Sequence, residues 1–233
     1  MENIKFIINR SEIAAGTRGA SLGPESLKVV AWKNENSLFG DYPIVEVPTA
    51  NHLLNKPVKH QFAKRIEGLI EVYKNVAAEV VTAINENTFP LVLAGDHASA
   101  GGTIAGLKAA YPDKRLGVIW VDAHGDLHTP YTTPSGNMHG MPLSTALNDD
   151  NLSSKRNDVP NETVQLWEKL KAIGFEGQKV KPEDLIFVGV RDVEDEEISM
   201  MNRLNIRNFT VDEVRLNGAA NIANEINQLL SQC

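Results

Sequence analysis

Six strand candidates, Ile4–Ile8, Pro43–Val47, Leu91–Ala94, Leu116–Val121, Leu185–Val190 and Arg207–Val211, alternate along the chain with segments of helical periodicity. That alternation restricts the chain to an α/β fold around a parallel sheet, because parallel neighbours need a long crossover and a helix is the usual one. The longest helical pattern, Val58–Asn85, puts Phe62, Ile66, Leu69, Ile70, Tyr73, Ala77, Val80, Val81 and Ile84 on one stripe, the mark of a face turned to a core. Shorter helices are expected over Ser99–Ala110, Gly140–Leu147, Glu162–Ile173, Asp195–Leu204 and Ala219–Leu230, and the polar Asn148–Asn161 stretch reads as an exposed loop. With 233 residues, 42% of them hydrophobic, and no internal repeat or linker, residues 1–233 are expected to form a single domain.

Two of the strand candidates end in residues that bind metals. Leu116–Val121 runs into Asp122-Ala123-His124-Gly125-Asp126, followed by Leu127-His128. In extended chain, residues two apart share a face, so Asp122, His124 and Asp126 are expected to converge at the strand's carboxyl end. A bridging carboxylate there could hold two ions. Carboxylate and imidazole without thiolate suit Mn, Fe, Co or Zn better than a soft metal. The plainer reading of such a cluster is a solvated loop with a helix cap. However, Leu91–Ala94 also leads into Gly95-Asp96-His97, and carboxyl ends of parallel strands are where ligands gather, so His97 is expected to face the first group. A third segment, Thr132 to Pro142, offers neutral donors and acceptors at Ser135 and Asn137 and an imidazole at His139 able to carry a proton near neutral pH.

Composition narrows the partners. A net charge of −7 gives no electrostatic reason to bind nucleic acid or an anionic membrane, and no run approaches a membrane span. The one cysteine, Cys233, excludes an internal disulfide framework and a thiolate cage. Met1–Arg10 reads as a short strand rather than a signal peptide, and a cytoplasmic protein acting on a small molecule is expected.

Together the segments resemble the ureohydrolase family, and within it the arginases. Gly95-Asp96-His97 is similar to the GGDH signature, with Ala94 in place of its first glycine. Asp122-Ala123-His124-Gly125-Asp126 matches DAHxD, and Ser135 through Pro142 is similar to SGNxHGxP. Thr17-Arg18-Gly19 through Gly23-Pro24 resembles the family's N-terminal loop. The resemblance implies a three-layer α/β/α fold and two Mn2+ ions. His97, Asp122 and Asp126 would ligate one ion, and Asp122 would bridge to a second held by His124. The pair would activate a hydroxide to attack the guanidinium carbon of L-arginine, giving L-ornithine and urea, with His139 as proton shuttle. Ser135 and Asn137 match positions that hold the substrate's α-carboxylate, with His128 standing where an Asn is usual. Glu194 and Glu197 match the segment that binds the α-amino group, Glu194 replacing an Asp, although an acidic first helical turn is also what the helix dipole favours.

The family pattern contains a further SxDxD-type motif and two central strands, expected between the strands ending at His97 and Asp122, and the sequence reaches Cys233 before them. The expectation is therefore an arginase-like domain that lacks those strands, with its second metal position impaired and two strand edges unpaired. A homotrimer or homohexamer is implied for the complete protein. The alternatives are a truncated non-catalytic paralogue serving as a binding or regulatory subunit, and a ureohydrolase acting on agmatine or formimidoylglutamate.

Overall fold

The computed structural model describes residues 3–233; Met1 and Glu2, the start of the Met1–Arg10 segment, lie outside the described residues. Six strands form, β1 Ile4–Asn9, β2 Ile44–Glu46, β3 Phe89–Ala94, β4 Val118–Val121, β5 Leu185–Val188 and β6 Arg207–Phe209. They make two three-stranded sheets, β2-β1-β3 and β4-β5-β6, and every pairing is parallel.

Helices cover both faces of each sheet. On β1, Ile7 packs into a core with the long helix α3 (Ile66–Asn85), while Ile4, Phe6 and Ile8 face the other way, against residues of α2 (Leu38–Asp41) and its flank. The Phe6 ring lies 4.9 Å from Phe39 and 6.4 Å from Tyr42. β5 divides in the same manner. Leu185 and Phe187 join a core with α5 (Pro142–Leu147) and α7 (Asp195–Arg203), and Ile186 joins one with α9 (Ala219–Leu229). Alternate side chains buried on opposite faces give the three-layer α/β/α arrangement that the sequence led us to expect.

The second crossover helix, α4 (Ser99–Ala110), lies tightly against α3, and its glycines explain how. A Cβ on Gly101 would overlap the Tyr73 ring, and one on Gly106 would press on Val80 and the Ala77 carbonyl. Any larger residue would push the helices apart and shift the segment that carries His97 into α4.

β3 and β4 are unpaired on the sides that face each other. Between them runs a groove of about 370 Å3 lined by Val92 and Ala94 of β3, Val118 and Trp120 of β4, and Thr103 and Ile104 of α4. This is the interval where the family resemblance led us to expect two further strands. Its margins are apolar and open to water: Phe89 is 64% exposed, Ile119 50% and Val121 76%.

Several expectations need correction. The helix expected over Val58–Asn85 begins only at Ile66, because Arg65 adopts the left-handed conformation (φ 61°) and the Lys64 N–H bonds to the Gly136 carbonyl (2.9 Å), not to a helical turn. Phe62 thus lies in a loop. The helix expected from Gly140 starts at Pro142, after one turn of 3-10 helix at Met138–Gly140. The strand expected to reach Val211 ends at Phe209, where Thr210 caps a helix, α8 (Val211–Asn217): the Thr210 hydroxyl accepts from the Glu213 N–H, and the Glu213 carboxylate accepts from the Thr210 N–H. Two helices not foreseen, α1 (Gly23–Lys33) and α2, lie between β1 and β2, and Gly23-Pro24 is the first turn of α1 instead of part of a loop. The remaining helix, α6 (Asn161–Lys171), ends two residues before its expected limit.

Candidate metal centre

The ends of β3 and β4 meet at their carboxyl sides. His97 Nδ1 lies 3.1 Å from Asp122 Oδ2 and 2.8 Å from Asp126 Oδ2, and one ligand atom from each residue falls within 4.8 Å of the others. The indole of Trp120 stacks on the His97 ring with centroids 4.5 Å apart, fixing its plane. Asp122 reaches two ways. While Oδ2 faces His97, Oδ1 lies 3.4 Å from His124 Nδ1 and accepts the His124 backbone N–H at 3.0 Å.

The convergence does not arise by strand alternation. β4 stops at Val121, and Asp126 is turned inward by a left-handed backbone (φ 50°). The bend is pinned from behind: the Leu127 N–H donates to Glu197 Oε1 (3.0 Å), the Ser144 hydroxyl donates to the Leu127 carbonyl (2.7 Å), and the His128 N–H donates to the Gly140 carbonyl (2.9 Å). Leu127 itself is wholly buried.

The chemistry of the donor set fits a hard or borderline divalent cation. Asp126 Oδ2 is buried and meets no donor in hydrogen-bond geometry, despite its nearness to His97. A buried carboxylate oxygen left in that condition is costly unless a cation completes it. Burial opposes a charge on His97, but Asp126, Asp122 and Asp96 outweigh it and hold its pKa above the ordinary value. At His139 burial dominates, opposed by Asp126 and assisted by the positive potential of His124 and His97, and its pKa is pushed down.

Beside the cluster is a polar pocket of about 250 Å3. It is lined by His124, Asp126, His128, Ser135, Asn137, His139, Glu194 and Glu197. Glycine at 136 is required here: it has φ 73°, and a Cβ would overlap the Gln61 carbonyl oxygen. Glu194 and Glu197 do stand at the start of α7, where Glu197 Oε2 accepts the Glu194 N–H at 3.2 Å, so the helix-end reading of these acids also describes the structure. Glu197 is buried, which raises its pKa against the opposing pull of His128 and two backbone N–H groups.

The structure brings together His97, Asp122 and Asp126, with His124 at the margin and half exposed. Three contributors were missed in sequence. Asp192 lies 3.4 Å from His124 Nε2. Trp120 orients His97. The buried Asp96, raised to about 6 by burial, accepts from Ala14 N–H (3.1 Å), Ala98 N–H (3.1 Å) and the Ser11 hydroxyl (3.4 Å). Asp192 adjoins residues already singled out, and alternation from Glu194 would have found it.

The arginase family model matches residues 9–233. The chain belongs to the arginase family. The arginase of Brevibacillus brevis is 33% identical over 231 residues, an alignment covering 96% of this chain and 69% of that one. The solved arginase of Bacillus caldovelox superposes with a TM-score of 0.79 at 30% identity, covering 99% of this chain and 72% of its own. The formimidoylglutamase of Bacillus subtilis shares the fold, with a TM-score of 0.67 at 14% identity and coverage of 99% and 62%. The protein is thus an arginase-like ureohydrolase. In an arginase-family enzyme a metal centre is expected, and the His97, Asp122 and Asp126 cluster is a group of residues able to hold one. Among the described residues no helix is long and apolar enough to cross a membrane.

Proposed function

We propose that the protein hydrolyses L-arginine to L-ornithine and urea with two Mn2+ ions, in the cytoplasm and as a homotrimer or homohexamer. The observation that carries this reading is the division of the Asp122 carboxylate, one oxygen toward His97 and the other toward His124. His97, Asp122 and Asp126 would hold the first ion, and Asp122 and His124 would contribute to the second. When bound, the ions would supply water activation at neutral pH and positive charge to offset the charge that develops on oxygen.

The chain's own residues do the rest. His139 lines the pocket, and its lowered pKa keeps the ring neutral near pH 7, ready to take a proton and pass it to the departing amine. Ser135 and Asn137 offer a hydroxyl and an amide to a carboxylate, while Glu194 and Glu197 suit an ammonium. An amino acid satisfies both sets, whereas agmatine leaves the first unused. The Brevibacillus brevis relative, named an arginase, supports the same choice.

One observation favours a second reading, a non-catalytic binding subunit. Only one cluster of three such ligands occurs among the described residues, and this chain gives the second ion just Asp122 and His124. Metal analysis of the Mn-loaded protein, alongside product release from L-arginine, agmatine and formimidoylglutamate, separates the readings. Two ions with urea released from L-arginine is the result this reading requires, and it would overturn the expectation of an impaired second position. One ion and no turnover selects the binding subunit, and cleavage of another substrate overturns the arginine assignment.

A further inference from the structure

One residue lining the pocket has a polar atom that nothing among the described residues satisfies. His128 is 8% exposed and lines the pocket, and its buried Nε2 has no hydrogen-bond partner among the described residues. Glu194 Oε2 at 3.4 Å and Glu197 Oε2 at 3.7 Å approach it without hydrogen-bond geometry. A buried nitrogen in that state is built for a ligand.

The network behind the ring decides what the nitrogen offers. His128 Nδ1 lies 3.2 Å from Thr132 Oγ1, which already accepts the Thr129 N–H at 3.0 Å. The Thr132 proton has two acceptors within reach, His128 Nδ1 and, farther off at 3.4 Å, Thr129 Oγ1. Thr129 Oγ1 already accepts the Tyr131 N–H and spends its own proton on the Asp150 carbonyl. Donation to His128 is the shorter path, and it leaves the imidazole proton on Nε2. Electrostatics points the same way, since the opposite tautomer would aim a lone pair at two glutamate carboxylates.

The geometry points to Thr132 as a positioning residue that fixes His128 as an Nε2–H donor, so that His128 and Glu194 together recognise the carboxylate and ammonium of an α-amino acid as one unit. A carboxylate alone would take the His128 proton but face the two glutamates; an amine alone would satisfy Glu194 and leave Nε2 unmet. Only the zwitterion serves both. His128 and Glu194, the two substrate positions at which the sequence departs from the family resemblance, stand against each other, a histidine for an amide and a longer acid for a shorter one. The inference rests on the proposed arginine reading and assigns the selectivity of that site to a pair and its hidden support.

The test uses the full 233-residue chain loaded with Mn2+. Calorimetry compares L-ornithine with putrescine, which lacks the carboxylate, and 5-aminopentanoate, which lacks the α-amine; 15N NMR of histidine-labelled protein carrying diamagnetic Zn2+ in place of Mn2+ reports which ring nitrogen of His128 carries the proton. The wild type is expected to bind L-ornithine at least about tenfold more tightly than either analogue, with Nε2 protonated and Nδ1 bare. Thr132→Val, nearly isosteric, is expected to release the tautomer and shrink the preference over putrescine several-fold, about 3–10-fold. Thr132→Ser restores both, and metal content stays constant throughout. Ornithine binding with Nδ1 protonated, or a preference unmoved by Thr132→Val, overturns the inference alone. No ornithine binding by the metal-loaded wild type overturns the arginine reading and this inference with it.

Discussion

The candidate metal centre stands between two walls of opposite character. One wall, running from Asp126 through α5 and backed by α7, is closed: Leu127, Met138, Met141 and Leu143 are at most 1% exposed, and the backbone bends are bonded from behind by Glu197 and Ser144. The other, at the facing edges of β3 and β4, is open, with Ile119 and Val121 in water and a groove between the strands. The ligands inherit the difference. The Asp126 side chain is 6% exposed, and that of His97, carried just beyond β3, is 44% exposed. The cluster therefore joins a rigid element to one supported on a single edge, and an ion placed there ties the two together.

The largest effect should come from cutting that tie. Asp126→Ala removes the ligand from the closed wall and is expected to reduce uptake at the triad by orders of magnitude, with product release falling below detection; metal analysis after gel filtration and a urea assay report both. His124→Ala should cost less metal. It removes a half-exposed ligand from the second position, so about one ion per chain should remain while activity is lost. If both variants lose all metal, the two positions do not fill independently and the contrast between them fails.

Packing tests the same contrast at lower energy. Leu143→Ala, in the closed wall, opens a cavity in a core residue with no exposure and is expected to cost about 2–5 kcal/mol. Ile119→Ser, on the open edge, removes an apolar side chain already half in water and is expected to stay within about 1 kcal/mol, while reducing binding of a hydrophobic dye to the groove. Denaturant titration of the pair reads the difference directly. A costly Ile119→Ser would show that the groove is filled in solution.

The closed wall was the harder one to read in the sequence. The strand ends at Ala94 and Val121 were legible because apolar runs halt at Gly95-Asp96-His97 and at Asp122, and α4 was delimited to the residue. That His97 faces the Asp122–Asp126 segment was legible from the two strand ends, while the set of His97, Asp122 and Asp126 was implied by the family resemblance. The route was not legible, because Asp126 comes inward through a positive φ that its residue type does not announce. Arg65 ended the α3 pattern for the same reason: a tertiary bond from Lys64 to the Gly136 carbonyl outweighed an apolar stripe that continued through Phe62. α1 escaped because its apolar residues form no buried face; Val29, Val30 and Trp32 are all exposed. Thr210 with Glu213 was a readable capping box, overlooked because β-branched Val211 prolonged the strand pattern.

The smallest effect lies behind the closed wall, at Lys179. Its backbone N–H bonds to the Ala146 carbonyl at the end of α5, and its ammonium donates to the Lys171 carbonyl from a site only 4% exposed. Burial, with help from the charge of Lys171, pushes its pKa down to about 8. A lysine with a lowered folded pKa binds fewer protons in the folded than in the unfolded chain, where it titrates near 10.4, so stability should rise between pH 8 and pH 10 and be flat in this term below pH 8. Lys179→Met removes that rise. At pH 7 it should stabilise the protein by on the order of 1 kcal/mol, once the lost bond to the Lys171 carbonyl is set against relief from burying a charge. Urea titrations of both proteins at pH 7 and pH 9.5 check the sign. If the wild type gains nothing over that interval relative to Lys179→Met, the ammonium is as well solvated in the folded protein as outside it, and the closed wall has a path for water behind α5.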